Sequence, residues 1–362
     1  MRLLRCTSID FDPTDARDLS RVLSHSFPGV EVSRVQVVKR TSGTNSNVRL
    51  AVEYSRDLGA PTAIFAKLPP GGATQRELVK KSGMAAREVG FYRDVARSVP
   101  LRFPRAYHAA YDEETADFVL LLEDVTTSGA VFLDPEASTP FEVARRAVED
   151  LADLHLAHRQ DQALRRRVAW VGPQIRLREY GAGMLSTALE HCRSSLADEF
   201  ARVARFYVDH HDAVHDAWEK GAWSVIHGDC HFGNVFLEKE RIGFFDWGCM
   251  AYMPGIRDVG YYLCMGLSVD DRRAFERELL GLYVSRIAAG GGPDMSFDEA
   301  WRLHRIHAAY TVPASAPASI FELLRGKVEF DPSVADAFLR RSTAAIEDLE
   351  AYQALSDRLR KE

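Results

Sequence analysis

The chain has 362 residues, 46% of them hydrophobic and 27% charged, with 46 Lys and Arg against 52 Asp and Glu for a net charge of −6. That length and balance exclude a peptide-sized or disulfide-dependent scaffold and a chain too polar to fold alone, and allow about two domains. The acidic total offers no chain-wide basic footprint for nucleic acid, so none is expected as a partner.

In chain order, Glu31 to Arg40, Asn47 to Tyr54 and Pro61 to Leu68 read as strands, with turn chemistry in Thr41 to Ser46. A helical stretch from Thr74 to Arg97 is expected to break near Ser82 and Gly83, and Arg105 to Tyr111 and Asp117 to Leu122 follow as strands. Beyond Glu123 the apolar period lengthens. Ala144, Ala147, Val148, Leu151 and Leu154 recur at helical spacing, and stretches around 196–219, 271–288, 297–310 and 333–355 do likewise. Between them, Trp223 to Trp247 holds short Val-, Ile- and Phe-rich pieces around turns, while 289–293 and 314–318 read as loop punctuation.

Five cysteines (Cys6, Cys192, Cys230, Cys249 and Cys264) are widely spread and form no C-x-x-C pair, which points to a reducing, cytoplasmic setting. No signal-like run opens the sequence, and no uncharged stretch approaches the ~20 residues that span a bilayer, so no membrane association is expected. Residues 1–122 carry 18 basic and 14 acidic side chains, and the remainder 28 and 38. That split suits an anionic cofactor in the first part and a cationic or neutral substrate in the second.

The densest polar chemistry is His227-Gly-Asp-Cys-His-Phe-Gly-Asn234, followed by Phe245-Asp-Trp-Gly248. Asp229, Asn234 five positions later and Asp246 seventeen positions after Asp229 make the base-and-ligand set that phosphoryl transfer from a magnesium nucleotide needs. Asp229 would take the acceptor's proton, while Asn234 and Asp246 would supply hard oxygens to Mg2+. Gly228 and Gly233 would permit the tight loop and Gly248 the turn after Asp246.

H-G-D-x-H-x-G-N followed by D-W-G resembles the aminoglycoside phosphotransferase and choline kinase group, nearest its ecdysteroid-kinase-like members. Glu88-Val-Gly-Phe-Tyr92, Leu120-Leu-Leu-Glu-Asp124, Leu151-Ala-Asp-Leu-His155 and Arg257-Asp-Val-Gly-Tyr-Tyr-Leu263 extend the likeness over roughly residues 40 to 310. The resemblance implies an α+β, bilobal protein-kinase-like fold. An N-terminal nucleotide-binding lobe over 1–122 would hold an antiparallel sheet with one main helix, and a mostly helical catalytic and substrate-binding lobe would occupy 123–362, with the hinge about 121–126. It also implies ATP and Mg2+ as cofactors and a small-molecule hydroxyl (aminoglycoside-, choline-, sugar- or steroid-like) as acceptor.

Carried over by motif, Asp229 matches the catalytic base, Asn234 and Asp246 the metal ligands, Lys67 the phosphate-binding lysine and Glu88 its ion-pair partner. Glu77, eleven residues earlier, is a rival for that last role. Ser42, Gly43, Asn45, Ser46 and Asn47 occupy the turn that would cover the nucleotide phosphates, and Glu123 the connection that would meet the adenine. Relative to protein kinases, Gly228 stands for the arginine of H-R-D and Trp247 for the phenylalanine of D-F-G, which favours a small-molecule acceptor over a protein.

Other readings compete. His227, Asp229 and His231, with His210, His211 and His215, could suit a metal hydrolase, although no H-E-x-x-H glutamate is present. His227 and His231 are expected instead to shape the loop by hydrogen bonds, and Asp258 to support it from below. Trp301, His304, His307 and Tyr310 read as helix core, with an aromatic acceptor pocket as the other option. A nucleotide-binding pseudokinase is the non-catalytic alternative.

Overall fold

A computed structural model describes residues 11–42, 44–160, 162–325 and 331–361; the N-terminal ten residues, Cys6 among them, and Gly43 lie outside the described residues. The chain divides into two compact units, one of residues 1–97 and 103–130 and the other of residues 98–102 and 131–362.

The first unit is built on five antiparallel strands: β1 (Glu31–Ser42), β2 (Ser46–Arg56), β3 (Ala63–Leu68), β4 (Ala106–Tyr111) and β5 (Phe118–Glu123), in spatial order β1-β2-β3-β5-β4. Alternation in β2 puts Val48, Leu50 and Val52 into a core shared with Ile64 and Ala66 of β3. Leu19, Val22 and Leu23 of helix α1 (Ala16–Leu23) close that core. The Asp15 carboxylate caps α1 by accepting the N–H groups of Arg17 and Asp18 at 2.8 and 2.9 Å. This helix is absent from the sequence expectations, because its eight residues give too short a periodic run. The expected break after Ser82 is present: helix α2 (Ala73–Ser82) ends on Gly83 in a left-handed conformation (φ 64°), and α3 (Met84–Gly90) starts on a new axis.

The boundary expected at 122/123 differs from this division. Leu121 to Glu123 belong to β5, between β3 and β4. Arg49 of β2 then holds the next residues, its Nε donating to Asp124 at 2.8 Å and its Nη2 to Thr126 at 2.5 Å. Residues 98–102 join the second unit because the Arg102 carbonyl accepts the Phe244 N–H at 2.8 Å and its guanidinium pairs with Glu238 at 2.8 Å.

In the second unit, helix α4 (Phe141–Gln160) buries Ala144, Ala147, Val148, Leu151 and Leu154, the stripe its sequence shows. Short strands β6 (Val131–Phe132), β8 (Val235–Glu238) and β9 (Arg241–Phe244) form one small sheet, and β7 (Trp223–Ile226) pairs with β10 (Ala251–Pro254) in another. The remaining expected helical stretches are present, two of them in two pieces. The 196–219 stretch breaks at His210, and the 333–355 stretch breaks at Glu350, whose φ is 46°. The 314–318 stretch is not a loop. It forms the helical turns Thr311–Ala314 and Ala316–Ser319, with Val312, Ala316 and Ala318 buried, and Pro317 sits in a first turn where no N–H is needed. Among the described residues no helix is long and apolar enough to cross a membrane.

Candidate active site

The 227–234 loop leaves β7 and returns into β8, so paired strands fix both its ends. Asn234 donates its amide N–H to the Asp229 carbonyl and to Asp229 Oδ2, both at 3.0 Å. This pins the carboxylate and leaves the Asn234 amide oxygen as the acceptor available to a cation. Phe245 N–H donates to the Asn234 carbonyl at 3.0 Å, one step beyond the β8–β9 ladder, which sets Asp246 next to Asn234. Asp246 is half-buried and its own backbone is left-handed (φ 61°, ψ 70°). The left-handed residue of this turn is therefore the aspartate, while Gly248, expected to permit the turn, is not among the positive-φ glycines.

Beneath the loop, Asp258 is fully buried and accepts the N–H groups of His227 and Gly228, both at 2.8 Å. His155 of α4 stands 3.3 Å from the same carboxylate, and its other nitrogen meets the Tyr283 hydroxyl at 2.9 Å. Burial alone would raise the Asp258 pKa, but the hydrogen bond and field of His155, the field of His227 and the Gly228 N–H outweigh it, so the carboxyl sits below its ordinary value. The supporting role expected of Asp258 is the one it has.

His227 is buried, which holds its pKa below the ordinary value against the fields of Asp258 and Asp229. Its Nε2 donates to the Phe245 carbonyl at 3.0 Å, and Nδ1 accepts the Asp229 N–H at 3.2 Å. This neutral tautomer ties the loop to the turn before Asp246. His231 accepts the Gly233 N–H through Nδ1 at 3.0 Å, and its Nε2 lies 3.6 Å from Asp229 Oδ2. Both histidines thus act through hydrogen bonds. His211 and His215 pack in an aromatic layer with Tyr207, and no group of three or more His, Cys, Asp or Glu among the described residues could hold a metal ion.

Gly228 explains the close fit of loop and turn. Its φ is 85°, and a Cβ there would stand 2.2 Å from the Cys249 carbonyl oxygen. That contact spans 21 residues and could not be read from the loop alone.

In the first unit, Lys67 Nζ pairs with Glu88 Oε2 at 2.6 Å, with both side chains almost fully buried. Glu77 instead lies 3.6 Å from Lys81 on the exposed side of α2. Across the ladder Lys67 faces Asn47, whose side-chain oxygen, like that of Asn45, is buried without a hydrogen-bond partner among the described residues. Ser46 opens β2, Ser42 ends β1, and Gly43 between them lies outside the described residues. Glu123 is turned to its own sheet: its carboxylate accepts the Arg105 N–H at 3.0 Å and its N–H donates to the Arg105 carbonyl at 2.8 Å.

A family model described as "Phosphotransferase enzyme family" matches residues 38–303. The chain belongs to that phosphotransferase family. Its fold is kinase-like, as solved structures show. A Ralstonia eutropha JMP134 protein proposed to be an aminoglycoside phosphotransferase is 14% identical with a TM-score of 0.52, covering 94% of this chain and 98% of that one. An aminoglycoside phosphotransferase solved with GDP and kanamycin is also 14% identical with a TM-score of 0.52, covering 91% and 98%. Choline kinase LicA from Streptococcus pneumoniae is 12% identical with a TM-score of 0.50, over 91% and 98%. A search among curated proteins found no match. The ecdysteroid-kinase-like branch is not singled out by these likenesses. The phosphotransferase is a small-molecule kinase by family, and an amide oxygen and a carboxylate are the kind of hard oxygen donors Mg2+ accepts.

Gly228→Ala should lower stability by more than the ~1–2 kcal/mol that a left-handed alanine costs, because the new Cβ also meets the Cys249 carbonyl. Denaturant midpoints check this, and an unchanged midpoint would contradict the contact. His227 titrates below its ordinary value when folded, and burial takes His215 to about 3. Below roughly pH 6.5 the unfolded chain therefore binds protons that the folded chain refuses, and stability falls as pH falls. Asp258, depressed when folded, keeps its contribution until the pH drops below its unfolded value of 3.8. Urea midpoints measured from pH 7.5 to 4.5 should decline steadily, whereas a flat profile would contradict neutral burial.

Proposed function

We propose that this phosphotransferase moves the γ-phosphoryl group of ATP to a hydroxyl of a small molecule, with Asp229 as the base. The observation that carries the reading is the pair of Asn234 hydrogen bonds to Asp229 beside the left-handed Asp246. One amide thereby orients the base with its nitrogen, and its oxygen would join Asp246 in holding a cation.

Asp229 takes the hydroxyl proton as the acceptor oxygen bonds to the γ-phosphorus, and the bond to the β–γ bridging oxygen breaks to release ADP. Asn234 and Asp246 would hold Mg2+, which when bound offsets charge on the nucleotide phosphates. Lys67, paired with Glu88, would engage those phosphates, and the side-chain oxygens of Asn45 and Asn47, without a partner among the described residues, could accept hydrogen bonds from donors of a bound ligand. Glu123, whose side chain and N–H engage Arg105, lies on the connection that would meet the adenine.

In Asp229→Asn, transfer of label from γ-32P-ATP to pooled hydroxyl compounds should fall on the order of 10²–10⁴-fold, with ADP affinity nearly unchanged. Asp246→Ala should instead abolish the Mg2+-dependence of ADP binding in calorimetry. Undiminished transfer in the first variant, or an intact Mg2+ effect in the second, would contradict the roles given.

A further inference from the structure

Arg257, on the helix Gly255–Tyr261, is 2% exposed, yet its Nε and both Nη atoms have no hydrogen-bond partner among the described residues. A guanidinium cannot shed its proton inside a protein, so this is a buried positive charge with its whole in-plane donor fork unspent. Its one strong contact is from above: the guanidinium carbon lies 3.8 Å from the centroid of the Tyr310 ring. A cation on an aromatic face recovers part of the cost of burial and leaves the N–H groups at the guanidinium edge unmet.

The surroundings are polar in the same unfinished way. Tyr261, whose ring is 5.4 Å from Tyr310, has a buried hydroxyl without a partner. Gln174 donates to the Tyr310 hydroxyl at 3.1 Å while its own side-chain oxygen is unpartnered. This cluster adjoins the loop of the candidate base. The Tyr261 ring lies 6.5 Å from that of His231, and the negative charge of Asp229 acts on Tyr180, Tyr261 and Tyr310.

Resting on the phosphotransferase reading, we propose that the acceptor is a small hydroxylated carboxylate, with Arg257 taking the carboxylate and the hydroxyl presented to Asp229. The planar fork matches a carboxylate bidentately. The charge count favours a monoanion over a phosphate dianion. Arg176 is already met by Asp216 and Glu219, and Arg178 by Asp212. His215 and His307 are held neutral by burial, at about 3 each. Among the described residues, Arg257 is thus the cation of this cluster without an ion-pair partner. The acidic total of residues 123–362 pointed to a cationic or neutral acceptor, but a ligand responds first to the charge it touches, which at Arg257 is positive.

The test compares glycerate, gluconate, shikimate and 4-hydroxybenzoate with their carboxamides at matched ionic strength, scored by thermal midpoint and by label transfer from γ-32P-ATP. At least one acid should raise the midpoint and accept label where its amide does neither. Arg257→Met should weaken that acid on the order of tenfold or more, since a hydrogen bond to a charged group is lost. Arg257→Lys should weaken it less, and the midpoint shift given by Mg-ADP should report that both variants are folded. The proposal is overturned if no acid in the panel binds, if amides match acids, if Arg257→Met keeps the acid response, or if kanamycin, choline or glucose accepts label without dependence on Arg257. That last outcome would leave the phosphotransferase reading standing, whereas acid binding through Arg257 with no label transferred would overturn that reading and keep the carboxylate site.

Discussion

The carboxylate of Asp258 accepts two consecutive backbone N–H groups, from His227 and Gly228, inside a core where neither could find water. His155 reaches the same carboxylate from α4 and is itself oriented by Tyr283, so the bend that presents Asp229 is anchored to the main helices of its unit. Removing the acceptor would leave buried donors unmet, at roughly 1–3 kcal/mol each. Everything the loop does chemically, from the Asn234 clamp to the neutral His227 bridge, presupposes this seat.

A second constraint acts from the other side of the loop. Gly228 lies so near the Cys249 carbonyl that any side chain would push the loop and the Asp246 turn apart. The turn in turn places a non-glycine residue, Asp246, in left-handed backbone, a conformation that costs energy and persists only where its surroundings enforce it. Loop and turn are thus fixed by contacts made to their backbone, a task in which the nearby side chains of Arg257, Tyr261 and Tyr310 have no part.

The sequence shows which chemistry is present more readily than how it is supported. The strands around Lys67 and the H-G-D-x-H-x-G-N run were legible because alternation and motif spacing are local properties. Whether Glu77 or Glu88 meets Lys67 was not, since eleven helical residues could have kept both on one face; the left-handed Gly83 turns the helix and leaves Glu77 on the outside. The reason for Gly228 and the strain at Asp246 depend on a contact between separate segments, and α1 is too short to announce itself. Arg257 was visible within Arg257-Asp-Val-Gly, but only its burial without partners gives it a meaning.

The central claim is that Asp258 builds the reactive loop without taking part in the chemistry. Amide hydrogen exchange at His227 and Gly228, followed beside phosphoryl transfer in wild type and Asp258→Ala, tests it most directly. In wild type these two amides should exchange only with global unfolding, and in the variant both protection and transfer should be lost while the core amides of α4 stay protected. Fast exchange at 227 and 228 in the wild type, or transfer that survives their loss of protection, would contradict it.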